Sequence, residues 1–339
     1  KAKICTLDAS CQDLVKRYFH ILGISPDIKI IDKDRCEVLR RRAVNDCIEE
    51  YFAAGDKDFI KLLSFLSADS PDMIFGYVLS LSSFLSSLAF ADEWEEKVKA
   101  MYSGGVYKAP WAYTVLRAAE EEMAALSAAL HRAIMQMDGD EKVQSAYFGC
   151  FSAAERELGQ MADIAQRGVK EWDNLYSRLS AFKLLPTKTI RKHDDMNLVK
   201  SMGAVKTNVS ERIKKLQAMI SSDLKSAEED VQSLAPAISK LFEVTKRYNE
   251  IFSEYKRLRG GLDFSDMEHL ALSLLVKREN GALSFTEIAA EEAGRYDEVL
   301  IDEYQDINDL QDTLFYAISG GGRRLFVVGD VKQSIYGFR

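Results

Sequence analysis

Two carboxylates in succession, Asp302 and Glu303, close a short apolar run, Val299-Leu300-Ile301, and a second apolar run, Leu325 to Val328, closes on Gly329-Asp330. A short, fully apolar run is the pattern of a parallel strand buried on both faces, and sheets of that kind take ligands at the carboxyl ends of their strands. Carboxylates at such an end suit nucleotide hydrolysis, one holding Mg²⁺ against phosphates while its neighbour orients the attacking water. Asp-Glu alone also reads as a helix N-terminus or a solvated face. The stretch that follows Asp330 adds Lys332, Gln333, Tyr336, Phe338 and Arg339. Cationic, amide and aromatic groups so closely spaced can build a phosphate sensor beside a base-stacking platform.

Asp302-Glu303-Tyr304-Gln305-Asp306 followed by Val328-Gly329-Asp330-Val331-Lys332-Gln333-Ser334-Ile335-Tyr336-Gly337-Phe338-Arg339 resembles motifs II and III of UvrD/Rep-like superfamily 1 DNA helicases. The wording is most similar to the AddA family, the A-type component of the bacterial, RecBCD-like AddAB helicase-nucleases. The resemblance implies ATP and Mg²⁺ as cofactors, with Asp302 on the metal, Glu303 as the general base for water and Gln333 on the γ-phosphate. Gln305 joins the same nucleotide network. The positions of Tyr336 and Phe338 stack on or pack against bases of single-stranded DNA, each such contact worth about 1–3 kcal/mol. Arg339 links that contact to the nucleotide. Many relatives carry Trp at the position of Phe338, a larger face.

The 339 residues are long enough for two domains, and 47% hydrophobic with 29% charged residues is ordinary globular composition. A formal net charge of -8 excludes coating nucleic acid by bulk charge, since non-specific affinity comes mainly from phosphate neutralisation. DNA contact must be local. Cys5, Cys11, Cys36, Cys47 and Cys150 form no Cys-x-x-Cys pair and the histidines are scattered, so no zinc or iron-sulfur pattern exists. Free thiols without a signal peptide fit the cytoplasm. The uncharged run from Ile74 to Ala91 reaches the lower limit of a membrane span, but five serines interrupt it and neither end carries a Lys or Arg anchor. It reads as a buried helix, and no membrane association is expected.

The elements that must position the carboxylates lie at the two ends of the chain. Lys3 to Leu7 predicts a strand, with Asp8 or Ser10 capping a helix through Leu14, Val15, Tyr18, Phe19 and Leu22. Thr6 to Cys11 resembles the Thr-Leu-His-Ser-Phe-Cys segment that touches the DNA backbone in the same helicases. Asp8 and Ser10 depart from it, and a carboxylate repels phosphate, so only Thr6 carries over as a DNA contact. From Ile28 to Gly261 the pattern is almost wholly helical. Two long helices over 197–259 divide near Pro236, and Leu241, Tyr248, Phe252 and Tyr255 form a packing seam. Lys183, Lys188, Arg191 and Lys192 form one basic cluster, and Lys256, Arg257 and Arg259 another. Each reads either as solvated surface or as DNA contact. Asp263 or Ser265 caps a helix through Leu270, Leu274 and Leu275, a short helix runs from Phe285 to Ala293, and another from Asn308 to Ile318.

The chain has no Gly-x-x-x-x-Gly-Lys-Ser/Thr run, the cradle that holds β- and γ-phosphates. By resemblance that loop lies before Lys1, and motifs IV to VI with the nuclease lie after Arg339. The expected fold is mainly α with a small α/β part: a partial RecA-like (P-loop NTPase) lobe over 1–27 and 262–339, carrying a large all-helical insertion over 28–261. The expected function is that of an internal fragment of an ATP-dependent DNA helicase/exonuclease subunit for double-strand break repair by recombination. Its expected partners are single- and double-stranded DNA and a B-type partner subunit. The fragment alone is expected to be inactive. The alternative is a non-catalytic helical interaction module with relic motifs.

Overall fold

The computed structural model describes residues 2–25, 27–66, 71–103, 105, 110–279 and 282–333. The chain opens with α1 (Leu7–Arg17) and α2 (Phe19–Leu22), and α2 stops at Gly23, whose φ of 65° is the left-handed cap that glycine adopts freely. There follow β1 (Lys29–Ile30), α3 (Lys33–Ala53), α4 (Lys57–Phe65), α5 (Pro71–Ser86) and α6 (Ala91–Ser103). Next come α7 (Pro110–Gln136), α8 (Glu141–Gln166), α9 (Trp172–Ala181), α10 (Met196–Met219) and α11 (Leu224–Leu258). The C-terminal part carries β2 (Gly261–Leu262), α12 (Phe264–Leu275), β3 (Val276–Glu279), β4 (Ala282–Phe285), α13 (Glu287–Ala293), β5 (Val299–Ile301), α14 (Asp309–Ile318) and β6 (Leu325–Val327). Asp32, Asp56, Asp140, Asp195 and Asp263 cap helices by accepting from backbone N–H groups of the first turn, the orphan donors of every helix start.

The fold is mostly helical, with β1–β2 and β5–β6 parallel and β3–β4 antiparallel. It divides into two compact units. One comprises residues 98–235, where Leu126 and Leu130 of α7, Phe151 and Leu158 of α8, Leu175 of α9 and Leu216 of α10 share one core. The other comprises 1–97 with 236–339 and holds two cores. The first is built from α3, α4, α5 and the end of α11, and includes Tyr248 and Phe252 with Leu241 and Tyr255 at its margin, as the seam predicts. Ile74 and Val78 are buried in it too, and no helix of the described residues is long and apolar enough to cross a membrane. The second joins Cys11, Leu14 and Val15 of α1 to Met267 and Ala271 of α12 and Leu310 and Leu314 of α14.

Several local expectations are corrected. Residues 2–6 form no strand: Thr6 is the N-cap of α1, its hydroxyl accepting from Ala9 N at 3.3 Å, which draws the helix start ahead of Asp8 and Ser10. The break between α10 and α11 falls at 220–223, while Pro236 lies inside α11. Asp223 accepts from Ser226 N and hydroxyl at 2.9 and 3.0 Å, a stronger start signal than the single backbone bond that a proline removes. Phe285 belongs to β4, paired with Val276, and α13 begins behind Thr286, whose hydroxyl accepts from Ala289 N. The strand Val299–Ile301 is parallel as predicted but not buried on both faces, because Leu300 is 67% exposed and Phe326 61%. Val328, on the same side as Phe326, is exposed as well. A two-stranded ribbon leaves one face to solvent.

Candidate active site

The register of β5 on β6, Val299 opposite Leu325 and Ile301 opposite Val327, sets the two polar strand ends side by side. Val328 N donates to Ile301 O at 2.8 Å and Tyr304 N to Val328 O at 2.9 Å, extending the pairing past the strands into the loops. Asp302 Oδ1 accepts from Glu303 N at 2.9 Å. Glu303 then takes φ 52° and ψ 41°, the one non-glycine residue with positive φ among those described. That left-handed conformation costs about 1–2 kcal/mol for an L residue. It turns the chain out of the strand into the 3-10 turn Tyr304–Asp306.

From Glu303 a hydrogen-bonded chain crosses to the second loop. Gln305 Nε2 donates to Glu303 Oε2 at 2.5 Å, and Gln305 Oε1 accepts from Asp330 N at 3.0 Å. Asp330 Oδ2 accepts from Gln333 Nε2 at 3.2 Å, while its Oδ1 accepts from Lys332 N at 2.9 Å. Asp302, Glu303, Gln305 and Gln333 are thus brought together, and both carboxylates are exposed to solvent. Asp330 and Gly329 are the residues that motif reasoning passed over. The signal was present in the sequence: a glycine at a strand end marks close backbone approach, and here a Cβ on Gly329 would lie 2.6 Å from Gln305 Oε1.

The remaining candidates are placed unevenly. Thr6 lines a cleft of 540 Å³ with Lys3, Tyr296, Asp302 and Gln311, so its hydroxyl serves the helix cap at a margin shared with Asp302 but not with Glu303. Tyr336, Phe338 and Arg339 lie outside the described residues. Among the described residues no group of three or more His, Cys, Asp or Glu side chains is arranged to hold a metal. Two exposed carboxylates still fit Mg²⁺, which keeps several waters and is commonly bound through one or two carboxylates together with substrate phosphates.

Of the basic clusters, the one at the end of α11 is split. Lys256 is buried against Asp263 and Asp266, so it serves an internal ion group, whereas Arg257 and Arg259 are exposed. In the unit formed by 98–235, Lys142, Lys188, Arg191 and Lys192 line a 600 Å³ hollow with Ser145 and Thr189, without a carboxylate in the lining. Lys188 donates to Ser145 Oγ at 3.2 Å and Lys142 to Lys192 O at 2.6 Å, which fixes this extended segment against α8.

Known proteins are similar to this sequence across its whole length. The family model for the UvrD/REP helicase N-terminal domain matches residues 1–339. The A-type subunit of the ATP-dependent helicase/nuclease of Clostridioides difficile is 28% identical over 357 residues, covering 100% of this chain and 28% of that protein. Proteins of the same name from Acetivibrio thermocellus and Geobacillus thermodenitrificans are 27% and 28% identical, again across 100% of the chain and 28% of their own length. The chain therefore spans little more than a quarter of these relatives.

Proposed function

This chain belongs to the UvrD/REP helicase N-terminal domain family, and on that premise we propose that it is the motif II and III portion of a longer ATP-dependent DNA helicase/nuclease subunit that processes DNA ends for recombinational repair. The observation that carries this reading is the chain of hydrogen bonds from Glu303 through Gln305 and Asp330 to Gln333 at the carboxyl ends of two parallel strands. That is where open α/β sheets bind nucleotides.

In this reading residues 1–27 and 262–339 are part of a RecA-like lobe and 28–261 an inserted helical region. The core shared by α1, α12 and α14 supports the first assignment, since it joins the two ends of the chain. Asp302 holds Mg²⁺, which when bound neutralises charge on the β- and γ-phosphates of ATP. Glu303 orients a water and takes its proton as the water oxygen bonds to the γ-phosphorus. The bond from that phosphorus to the bridging oxygen breaks, and ADP and phosphate leave. Gln333 senses the γ-phosphate, while Tyr336, Phe338 and Arg339 carry single-stranded DNA, with Thr6 on its backbone. The hollow lined by Lys142, Lys188, Arg191 and Lys192 suits a phosphate backbone. The proposed partner is a B-type subunit, and the proposed location is the cytoplasm. Having no Gly-x-x-x-x-Gly-Lys-Ser/Thr run, the 339 residues alone are expected to hydrolyse ATP negligibly.

Fluorescence anisotropy of labelled single-stranded DNA, titrated at low and moderate salt, tests the reading. Binding that weakens with salt and with the Tyr336→Ala, Phe338→Ala double substitution is the expected result. Absence of binding by the full-length protein at low salt would favour a non-catalytic interaction module.

A further inference from the structure

The resemblance gives Gln305 to the nucleotide, yet its carboxamide is engaged at both ends within the protein. Nε2 donates to Glu303 Oε2 at 2.5 Å and Oε1 accepts from Asp330 N at 3.0 Å. The orientation of the amide is forced by its neighbours, because an ionised carboxylate only accepts and a backbone N–H only donates. The reversed amide would face both with the wrong group. Gly329 is the condition for this arrangement: a Cβ there would meet Gln305 Oε1 at 2.6 Å and the backbone nitrogens of Gln305 and Tyr304 at 3.1 Å.

We propose that Gln305 is a positioning residue, a strut that holds the Glu303 carboxylate and ties it through Asp330 to Gln333, and that Gly329 is there to admit it. Glu303 stands in a strained left-handed conformation on an exposed turn, where a free side chain would sample several rotamers. Fixing one carboxylate oxygen on Gln305 leaves the other to address water. Because Asp330 also accepts from Gln333 Nε2 at 3.2 Å, the base is set in the same frame as the proposed γ-phosphate sensor. This inference rests on the reading of Glu303 as the general base.

The test uses the full-length protein that carries this chain, assayed for DNA-stimulated ATP hydrolysis and for binding of a non-hydrolysable ATP analogue. Gln305→Met removes the amide at similar length, Gln305→Asn keeps an amide too short to span both partners, and Gly329→Ala crowds the strut. Each is expected to lower kcat about tenfold or more, since small misplacements of a catalytic group are costly. KM and the analogue Kd should stay within about twofold. The Gln305→Met, Gly329→Ala double variant should lose little beyond the worse single variant, as residues acting through one contact are non-additive. A rise in KM and Kd with kcat retained, or additive losses in kcat, would overturn the strut in favour of direct nucleotide contact or independent roles. Glu303→Gln separates the two readings. If it abolishes hydrolysis while Gln305→Met leaves kcat intact, the strut alone fails. If Glu303→Gln leaves hydrolysis intact, the base assignment fails and the strut with it.

Discussion

The ammonium of Lys256, at the end of α11, lies 2.6 Å from the carboxylate of Asp266 in the first turn of α12. Asp263 Oδ2 is 3.1 Å away on the other side, and the Phe252 ring lies 4.4 Å beneath the nitrogen. Asp263 and Asp266 also form a capping box, each accepting from the other's backbone N–H at 2.9 Å. Burial pushes the Asp266 carboxyl up, whereas for Asp263 the same burial is outweighed by the charge of Lys256 and bonds from Asp266, which hold it down.

Removing Lys256 leaves the buried Asp263 with only the longer contact to Arg40, at 3.9 Å, and the half-buried Asp266 without its cation. Lys256→Met is therefore expected to destabilise the unit by about 3–5 kcal/mol, read from the midpoint of urea unfolding at constant slope. Adding Asp263→Asn and Asp266→Asn to Lys256→Met should recover a large part of the loss. A single variant as stable as wild type would show that the ion group contributes nothing net.

A second charge pair gives a pH dependence. Arg212 donates to both oxygens of Glu122, at 2.5 and 2.6 Å, joining α7 to α10. These bonds hold the Glu122 carboxyl below its ordinary value of 4.5. A depressed carboxylate stabilises the fold above its unfolded pKa and loses that contribution as pH falls through the folded pKa. Glu122→Gln should thus cost about 1 kcal/mol at pH 7, with the gap to wild type closing below pH 4.5. A gap that widens in acid would contradict the assignment.

Thiol reactivity separates one cysteine from four. Cys5 is exposed, whereas Cys11, Cys36, Cys47 and Cys150 are buried, and burial pushes the Cys11 and Cys47 thiols up to about 12. Since the thiolate is the nucleophile, a chromogenic disulfide at pH 8 should label Cys5 rapidly in the native protein and the others only on unfolding. Rapid reaction of Cys11 would place α1 elsewhere.

The basic hollow between α8 and the segment before α10 yields a salt test. If Lys188, Arg191 and Lys192 contact DNA phosphates, replacing each by Ala should reduce the slope of log K against log salt by about one. An unchanged slope across all three would make the hollow solvated surface only.

What the sequence disclosed follows from how local each signal is. Asp263 at its helix start and the seam of Tyr248 and Phe252 depend on neighbours within a few residues, and both are where the pattern puts them. Pro236 misled because a helix already initiated by Asp223 continues past one missing bond. The β3–β4 hairpin was not foreseen, since Val276 and Phe285 read equally well as ends of the adjacent helices. At the candidate site, Asp302, Glu303 and Gln333 were visible as residue types. The role of Asp330 was not, because its N–H meets Gln305 only once β5 and β6 are paired in register.

Activation of water by Glu303 is the step on which the proposed function stands. ATP hydrolysis by the full-length protein with single-stranded DNA and Mg²⁺, wild type against Glu303→Gln, tests it most directly. With Glu303 as the base, kcat should fall by about a hundredfold or more while binding of a non-hydrolysable ATP analogue is kept. Hydrolysis by Glu303→Gln at the wild-type rate would contradict it.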